Sequence, residues 1–379
     1  MKSSPIAATG LAIALVIFSG SLVAQQKEIA FESAGDFLKL PDDIHFGEVA
    51  GVATTSNGNL WVYNQGGGLN LTVGAARLHP SGGARLFEFD RSGKFLRELG
   101  STNEERPYGF RWAQGVRVDS QNNAWVVDRG SRTIMKFDPS GRILMILGRT
   151  PEAIGEIGSS AGGGGGGRGA GEGRGGAAPG AAPGGGGGGG GRGGPPGAGV
   201  PGDNFNQPTD IAWDAQGNIF VSDGYTNARV AKFDKTGRFA KSWGGTGTEP
   251  GQFNTPHSIA VDAQGNVYVA DMGNKRIQVF DNNGTFKTQF TNVGAPRAIC
   301  ISPGAQQFLY ASNSNPTEDP FLDGEIYKMQ LDGTIVGRIG RAGKQFKEFG
   351  MVNAIDCRDP NTLYVAELMN WRVQKLSLK

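Results

Sequence analysis

The chain has 379 residues, with 37 Lys and Arg against 35 Asp and Glu, for a net charge of +2 at pH 7. That near-balance leaves no basic footprint for nucleic acid or for a charged membrane surface. Charged residues make up only 19% of the chain and many of its 64 glycines lie in one tract, so the folded part is more apolar than the whole-chain figures suggest.

Residues 1–24 read as a secretory signal. Lys2 supplies the positive start, residues 11–18 the apolar run, and Ser21-Leu22-Val23-Ala24 a cleavage site in which Leu22 is larger than usual. The expectation is an exported chain, periplasmic or extracellular. The alternative is a chain held by this segment uncleaved, since its apolar stretch almost spans a bilayer. Residues 25–379 are then one domain. Residues 25–44 form a lead with one possible strand near Phe37.

From Phe46 onward the apolar residues alternate rather than recur at helical spacing, which predicts strands throughout. The pattern is clearest over 205–280. Pro208, Ile211, Asp223 and Phe233 reappear as Pro256, Ile259, Asp271 and Phe280, and Asp214-Ala215-Gln216-Gly217-Asn218 reappears as Asp262-Ala263-Gln264-Gly265-Asn266. A repeat of roughly 40 to 50 residues made of four short strands is the pattern of a propeller blade. The first blade begins at Phe46, the second near Phe110, and the third and fourth are the paired stretch. The fifth begins at Ala295, and the sixth, 349–379, has room for only three strands. A strand from the N-terminal lead is expected to complete it, because ring closure removes exposed sheet edges. Residues 155–202 are almost wholly Gly, Ala, Pro and Arg; they are expected to form a disordered loop between blades two and three. The tract's Arg168, Arg174 and Arg192 have RGG-like composition, but a spacer is the favoured reading.

Cys300 and Cys357 fall in the first strands of different blades. The favoured reading is two buried free thiols; a disulfide, which export would permit, is the alternative. Asp223 with Arg229, Asp271 with Arg276 and Glu367 with Arg372 repeat one acid–Arg pairing, and Asp128 with Arg132 is a variant of it. Repetition in successive blades argues for a structural role. This pattern, with its Asn-x-Arg entry to the third strand, resembles the NHL repeat. The resemblance implies an all-β fold, a six-bladed β-propeller.

Aligned on their first strands, the six blades carry Ala50, Gln114, Thr209, His257, Arg297 and Asn353 at one level. These are expected to face the central channel, with Gln114, His257 and Asn353 on alternating blades. The runs FNQPTDIAWDAQGNIFVSDGYTNARV and PGQFNTPHSIAV, with Leu147-Gly148-Arg149, further resemble the peptidyl-α-hydroxyglycine α-amidating lyases. That family is a group of six-bladed zinc enzymes that release a peptide amide and glyoxylate. The resemblance implies three zinc histidines on alternating blades, of which only His257 is present, the others being Gln114 and Asn353. It implies a catalytic tyrosine at Tyr225, and two substrate-holding arginines at positions occupied here by Gln65 and Met272. The family's paired cysteines are replaced by Asn206 and Thr226.

Amides are weak zinc ligands beside imidazole, thiolate and carboxylate. The expectation is therefore an exported binding propeller without a cofactor, with zinc at His257 as an incomplete possibility. Its ligand channel would be formed by Gln114, Thr209, His257, Arg297 and Asn353. For Arg297 two roles are open: partner to an acid on a neighbouring blade, or anion capture. The expected partner is a small molecule, a peptide or another protein, not nucleic acid, and the chain is expected to be monomeric. The alternative function is a lyase or hydrolase with altered metal ligands and Tyr225 as its catalytic group.

Overall fold

Each blade is built from hairpins whose turns the sequence specifies locally. In the third blade Asp214 Oδ1 accepts hydrogen bonds from the backbone N–H of Gln216 and Asn218, and Gly217 sits at a φ of 84°, where a side chain would be strained. The fourth blade repeats the turn with Asp262 and Gly265.

The structure, a computed structural model, describes residues 26–65, 72–73, 76–77, 83–99, 109–149, 202–314 and 324–379. The expected signal segment at 1–24 and almost all of the Gly-rich tract at 155–202 lie outside the described residues. Six four-stranded antiparallel sheets make up the fold. Their innermost strands are Glu48–Thr54, Ala113–Val118, Pro208–Trp213, Pro256–Val261, Pro296–Ile301 and Val352–Asp359. Each packs against the next, and the sixth packs against the first, so the sheets close a ring. Apolar faces of neighbouring sheets supply the core. Phe205, Ile211, Val221 and Phe233 of blade three, for instance, pack with Trp125, Val127 and Leu147 of blade two.

The ring closes with an N-terminal strand, as expected, but that strand is Phe31–Ala34 rather than one near Phe37. It pairs antiparallel with the last strand, Phe31 opposite Leu378 and Ala34 opposite Lys375. Phe31 is buried in the core between blades five and six. Phe37 lies beyond the strand, against the ring of Tyr364.

The free-thiol reading of the cysteines is corrected: Cys300 and Cys357 form a disulfide, with Cα atoms 6.1 Å apart. The first strands of blades five and six are adjacent in the ring, which brings the two positions together.

The repeated acid–Arg pairs are structural, as their repetition implies. Asp271 Oδ2 accepts from Arg276 Nε at 2.8 Å and from the Asn274 side chain, while its Oδ1 accepts from the backbone N–H of Asn254. Arg276 in turn donates to the carbonyls of Thr248, Glu249 and Gln252, on the connection arriving from blade three. Glu367 and Arg372 repeat the arrangement on the connection into blade six. The middle residue of each Asn-x-Arg takes a left-handed backbone, with φ of 47° at Ala228, 54° at Lys275 and 51° at Trp371. Blade two differs. Asp128 receives the backbone N–H groups of Arg111, Trp112, Gly130 and Ser131 rather than holding its arginine in the same way.

A candidate binding site at the channel mouth

The first strand of every blade carries one extra residue against its neighbour. The pairing runs from Ala113 opposite Asp128 to Gly115 opposite Val127, which leaves Gln114 outside the ladder. The same shift leaves out Ala50, Thr209, His257 and Asn353, and in blade five it spans Arg297 and Ala298. A bulge re-aims the side chain it frees. Six bulges at one level therefore point the six sequence-aligned residues into a common space.

There the side chains bond to one another across the ring. His257 is 2% exposed. Its Nδ1 lies 2.8 Å from the backbone carbonyl of Arg297, which can only accept, so Nδ1 carries the proton. In the neutral imidazole Nε2 is then an acceptor, and the Gln114 side-chain amide donates to it at 3.2 Å. Burial, reinforced by the charges of Arg297 and Arg129, holds the His257 pKa well below 6.5, and the bond to the Arg297 carbonyl only partly opposes this. Asn353 Nδ2 donates to the carbonyls of Ala50 and Gln114, and its Oδ1 accepts from Arg297 Nε at 2.8 Å. Thr209 does not join this network; its hydroxyl bonds to Ser222 and to the Pro256 carbonyl.

A second layer lies beneath. Arg117 makes a bidentate pair with Asp210, Nε to Oδ1 at 2.9 Å and Nη2 to Oδ2 at 2.6 Å. Burial pulls the Arg117 pKa down, but Asp210 and Asp356 together outweigh it and the net shift is upward. Ser258 donates to the same carboxylate, and Arg117 also reaches the carbonyls of Ile299 and Ile355. Between the layers, Gln114, Thr209, His257 and Asn353 face Arg117 and Asp210 across a cavity with room for about one water molecule. The Arg117–Asp210 pair escaped the sequence reading. Its signal is a charged residue within the apolar innermost strand, Val116-Arg117-Val118.

The mouth is formed by loops that follow the second strands. Tyr225, half-buried, stands with its ring centroid 6.0 Å from that of His257, edge to face. Gly224 makes this possible, since a Cβ there would fall 2.1 Å from the Pro256 carbonyl oxygen. Above Tyr225 lies a residue the sequence reading missed: the Arg129 guanidinium carbon is 3.8 Å from the ring centroid, a close cation–π contact. Arg129 directly follows the acid of blade two, where blades three, four and six carry Gly224, Met272 and Leu368. That mismatch is the signal that could have revealed it.

The positions the resemblance assigns to substrate-holding arginines serve otherwise. Gln65 accepts from the backbone N–H of Ala113, and Met272 Sδ lies 3.8 Å from Arg297 Nη1. Arg297 itself pairs with no acid among the described residues, so its reading as partner to a neighbouring carboxylate is corrected; it bonds to the neutral Asn353. His45 is exposed and precedes the first blade. Among the described residues no cluster of three or more His, Cys, Asp or Glu is placed to hold a metal ion.

Comparison with known proteins agrees with this geometry. A sequence model of the NHL repeat matches residues 253–280. The chain is a six-bladed β-propeller that carries an NHL repeat. It is 27% identical over 354 residues to the peptidylglycine alpha-amidating monooxygenase of Rattus norvegicus, over 88% of this chain and 30% of that protein. It is 25% identical over 287 residues to peptidyl-alpha-hydroxyglycine alpha-amidating lyase 1 of Drosophila melanogaster, over 70% of this chain and 44% of that one. The propeller thus spans less than half the length of these relatives. Among solved structures, a catalytically inactive virginiamycin B lyase from Staphylococcus aureus with quinupristin superposes with a TM-score of 0.52 at 13% identity, over 92% of this chain and all of that one. A gluconolactonase from Xanthomonas campestris gives 0.51 at 14% identity, over 88% and 87%. At these identities the two structures speak for the fold alone.

Proposed function

We propose that this chain is an exported propeller that keeps a lyase-like scaffold and uses its channel mouth to bind a ligand without a metal centre. One observation carries the reading: the only imidazole at the bulge level has its free lone pair turned onto the Gln114 amide. The other two alternating positions support it. Both are neutral amides, and Asn353 has its oxygen on Arg297 and its nitrogen on two carbonyls. With the Arg297 guanidinium beside them, these residues do not fit zinc, which takes imidazole, thiolate or carboxylate ligands and is repelled by a neighbouring cation.

Export is supported by the disulfide, a bond that persists in oxidising compartments. The reading as a monomer that binds a small molecule, a peptide or a protein face, and not nucleic acid, rests on the balanced net charge and the closed ring.

A second reading, a lyase that releases glyoxylate from a peptidyl-α-hydroxyglycine, is favoured by Tyr225. Its phenol stands at the channel mouth beside His257 and beneath the Arg129 guanidinium, the place a catalytic tyrosine would take. The similarity to the amidating lyases supports it as well. The test is to purify the mature chain without chelator, then measure bound metal by mass spectrometry and glyoxylate release on the same sample. The expected result is neither metal nor glyoxylate. Near-stoichiometric zinc with zinc-dependent release overturns the binding reading in favour of the lyase.

A further inference from the structure

We infer that Arg129 and Arg297 together form a subsite for a doubly charged oxyanion, a phosphoryl group or a pair of carboxylates, at the channel mouth. The inference deepens the binding reading above and rests on it. It begins with two cations that the fold desolvates and does not neutralise.

Arg297 is 8% exposed, and its bonds go to the Asn353 amide and, weakly, to the Met272 sulfur. Arg129 is half-buried, and its contacts are the faces of Tyr225 at 3.8 Å and Trp112 at 5.8 Å. Neither has a carboxylate within ion-pair distance among the described residues. The acids that end the second strands nearby are engaged elsewhere. Asp128 turns its oxygens onto four backbone N–H groups. Asp223, Asp271 and Glu367 hold Arg229, Arg276 and Arg372. A buried charge without a partner is costly, and the two guanidiniums are near enough to repel each other and to act on the same imidazole.

The geometry also leaves the right atoms free. A guanidinium stacked on an aromatic ring uses its face and presents its edge, a planar fork of N–H donors that matches two oxygens of one oxyanion. Arg297 has only its Nε engaged by a strong acceptor. His257 is neutral and adds no charge. The local count is therefore two positive charges. A monoanion leaves one uncompensated, whereas a dianion meets both.

The test uses the mature full-length chain at low ionic strength. Inorganic phosphate, malonate and acetate are titrated separately by isothermal calorimetry into wild type, Arg129→Gln and Arg129→Lys. The expected result is saturable binding of at least one dianion, at least about tenfold tighter than acetate. Binding should weaken by about tenfold or more in Arg129→Gln and by less in Arg129→Lys. Preference for phosphate assigns the subsite to a phosphoryl group; preference for malonate assigns it to a dicarboxylate. Unchanged melting temperatures without anion establish that the variants fold, and the comparison of dianion with acetate in wild type stands without them. No saturable dianion binding, equal affinity for acetate, or full affinity in Arg129→Gln overturns the subsite. The outcome is separable from the metal test: a zinc-free chain that ignores dianions defeats only the subsite, and a zinc-loaded lyase that binds them defeats only the metal-free reading.

Discussion

The side-chain amide of Gln114 donates a hydrogen bond to Nε2 of His257, the atom that would otherwise face the channel with a free lone pair. The two residues come from blades two and four, so this contact crosses the ring, and it meets the tautomer that the Arg297 carbonyl sets by accepting from Nδ1.

That tautomer predicts a pH dependence. The folded-state pKa of His257 lies well below 6.5, whereas the unfolded chain takes up the proton near 6.5. Stability from this residue is therefore complete above pH 6.5 and falls as the pH drops toward the folded pKa. The loss is at most about 1.4 kcal/mol per pH unit from one site. Urea midpoints measured at pH 7 and pH 5 should fall less in His257→Gln than in wild type, and the wild-type imidazole NMR shifts should not move over that range. An imidazole that titrates near 6.5 sinks the assignment.

The Cys300–Cys357 bond closes a loop with a sequence separation of 57 between adjacent blades. Reduction, or Cys300→Ala with Cys357→Ala, should cost about 2–4 kcal/mol of unfolding free energy. Denaturant titrations with and without reductant check this. The channel chemistry should survive, because both sulfurs lie outside the bulge level.

Phe31 is 7% exposed and anchors the strand that completes blade six. Phe31→Ala should cost about 2–4 kcal/mol through the cavity it leaves. Truncation before residue 35 should cost more, by leaving the edge of the last strand open. A truncated chain with an unchanged melting temperature contradicts closure by this strand.

Arg276 joins a buried carboxylate to three carbonyls of the incoming connection. Arg276→Ala leaves Asp271 without its cation and should cost about 3–5 kcal/mol. Adding Asp271→Asn should recover part of the loss, as a double-mutant cycle in thermal unfolding would report.

Gly224→Ala should act on the mouth rather than on the sheets. A Cβ at 2.1 Å from the Pro256 oxygen forces the Tyr225 loop away. The expected cost is roughly 1–3 kcal/mol, with a change in tyrosine fluorescence as the ring leaves His257 and Arg129.

Much of this was legible in the sequence because blades repeat. One well-marked pair, 208–233 and 256–280, fixes the frame, and the frame then assigns the channel position in weaker blades such as the first. The acid–Arg staples were legible for the same reason. What repetition cannot reveal is a contact made by residues that differ between blades. Arg129 meets Tyr225 across two loops, and Arg117 meets Asp210 across two first strands; neither has a counterpart to expose it. The cysteine bond was missed because pairing depends on the distance between blades five and six, which strand periodicity does not measure. Phe37 attracted the N-terminal strand assignment through its apolarity alone, and Phe31 has the better register against Leu378.

The bulges carry a consequence for how such a protein changes over generations. A residue left outside the ladder makes no pairing bond with the neighbouring strand, so its identity is set by what its side chain meets in the channel. In the genetic code, glutamine and asparagine codons each lie a single nucleotide from histidine. Gln114 and Asn353 therefore stand one point mutation apiece from an imidazole, on the two bulges that alternate with His257. Either change would still give up contacts the channel makes now, the Gln114 bond to His257 or the three bonds of Asn353, and Arg297 would remain beside them.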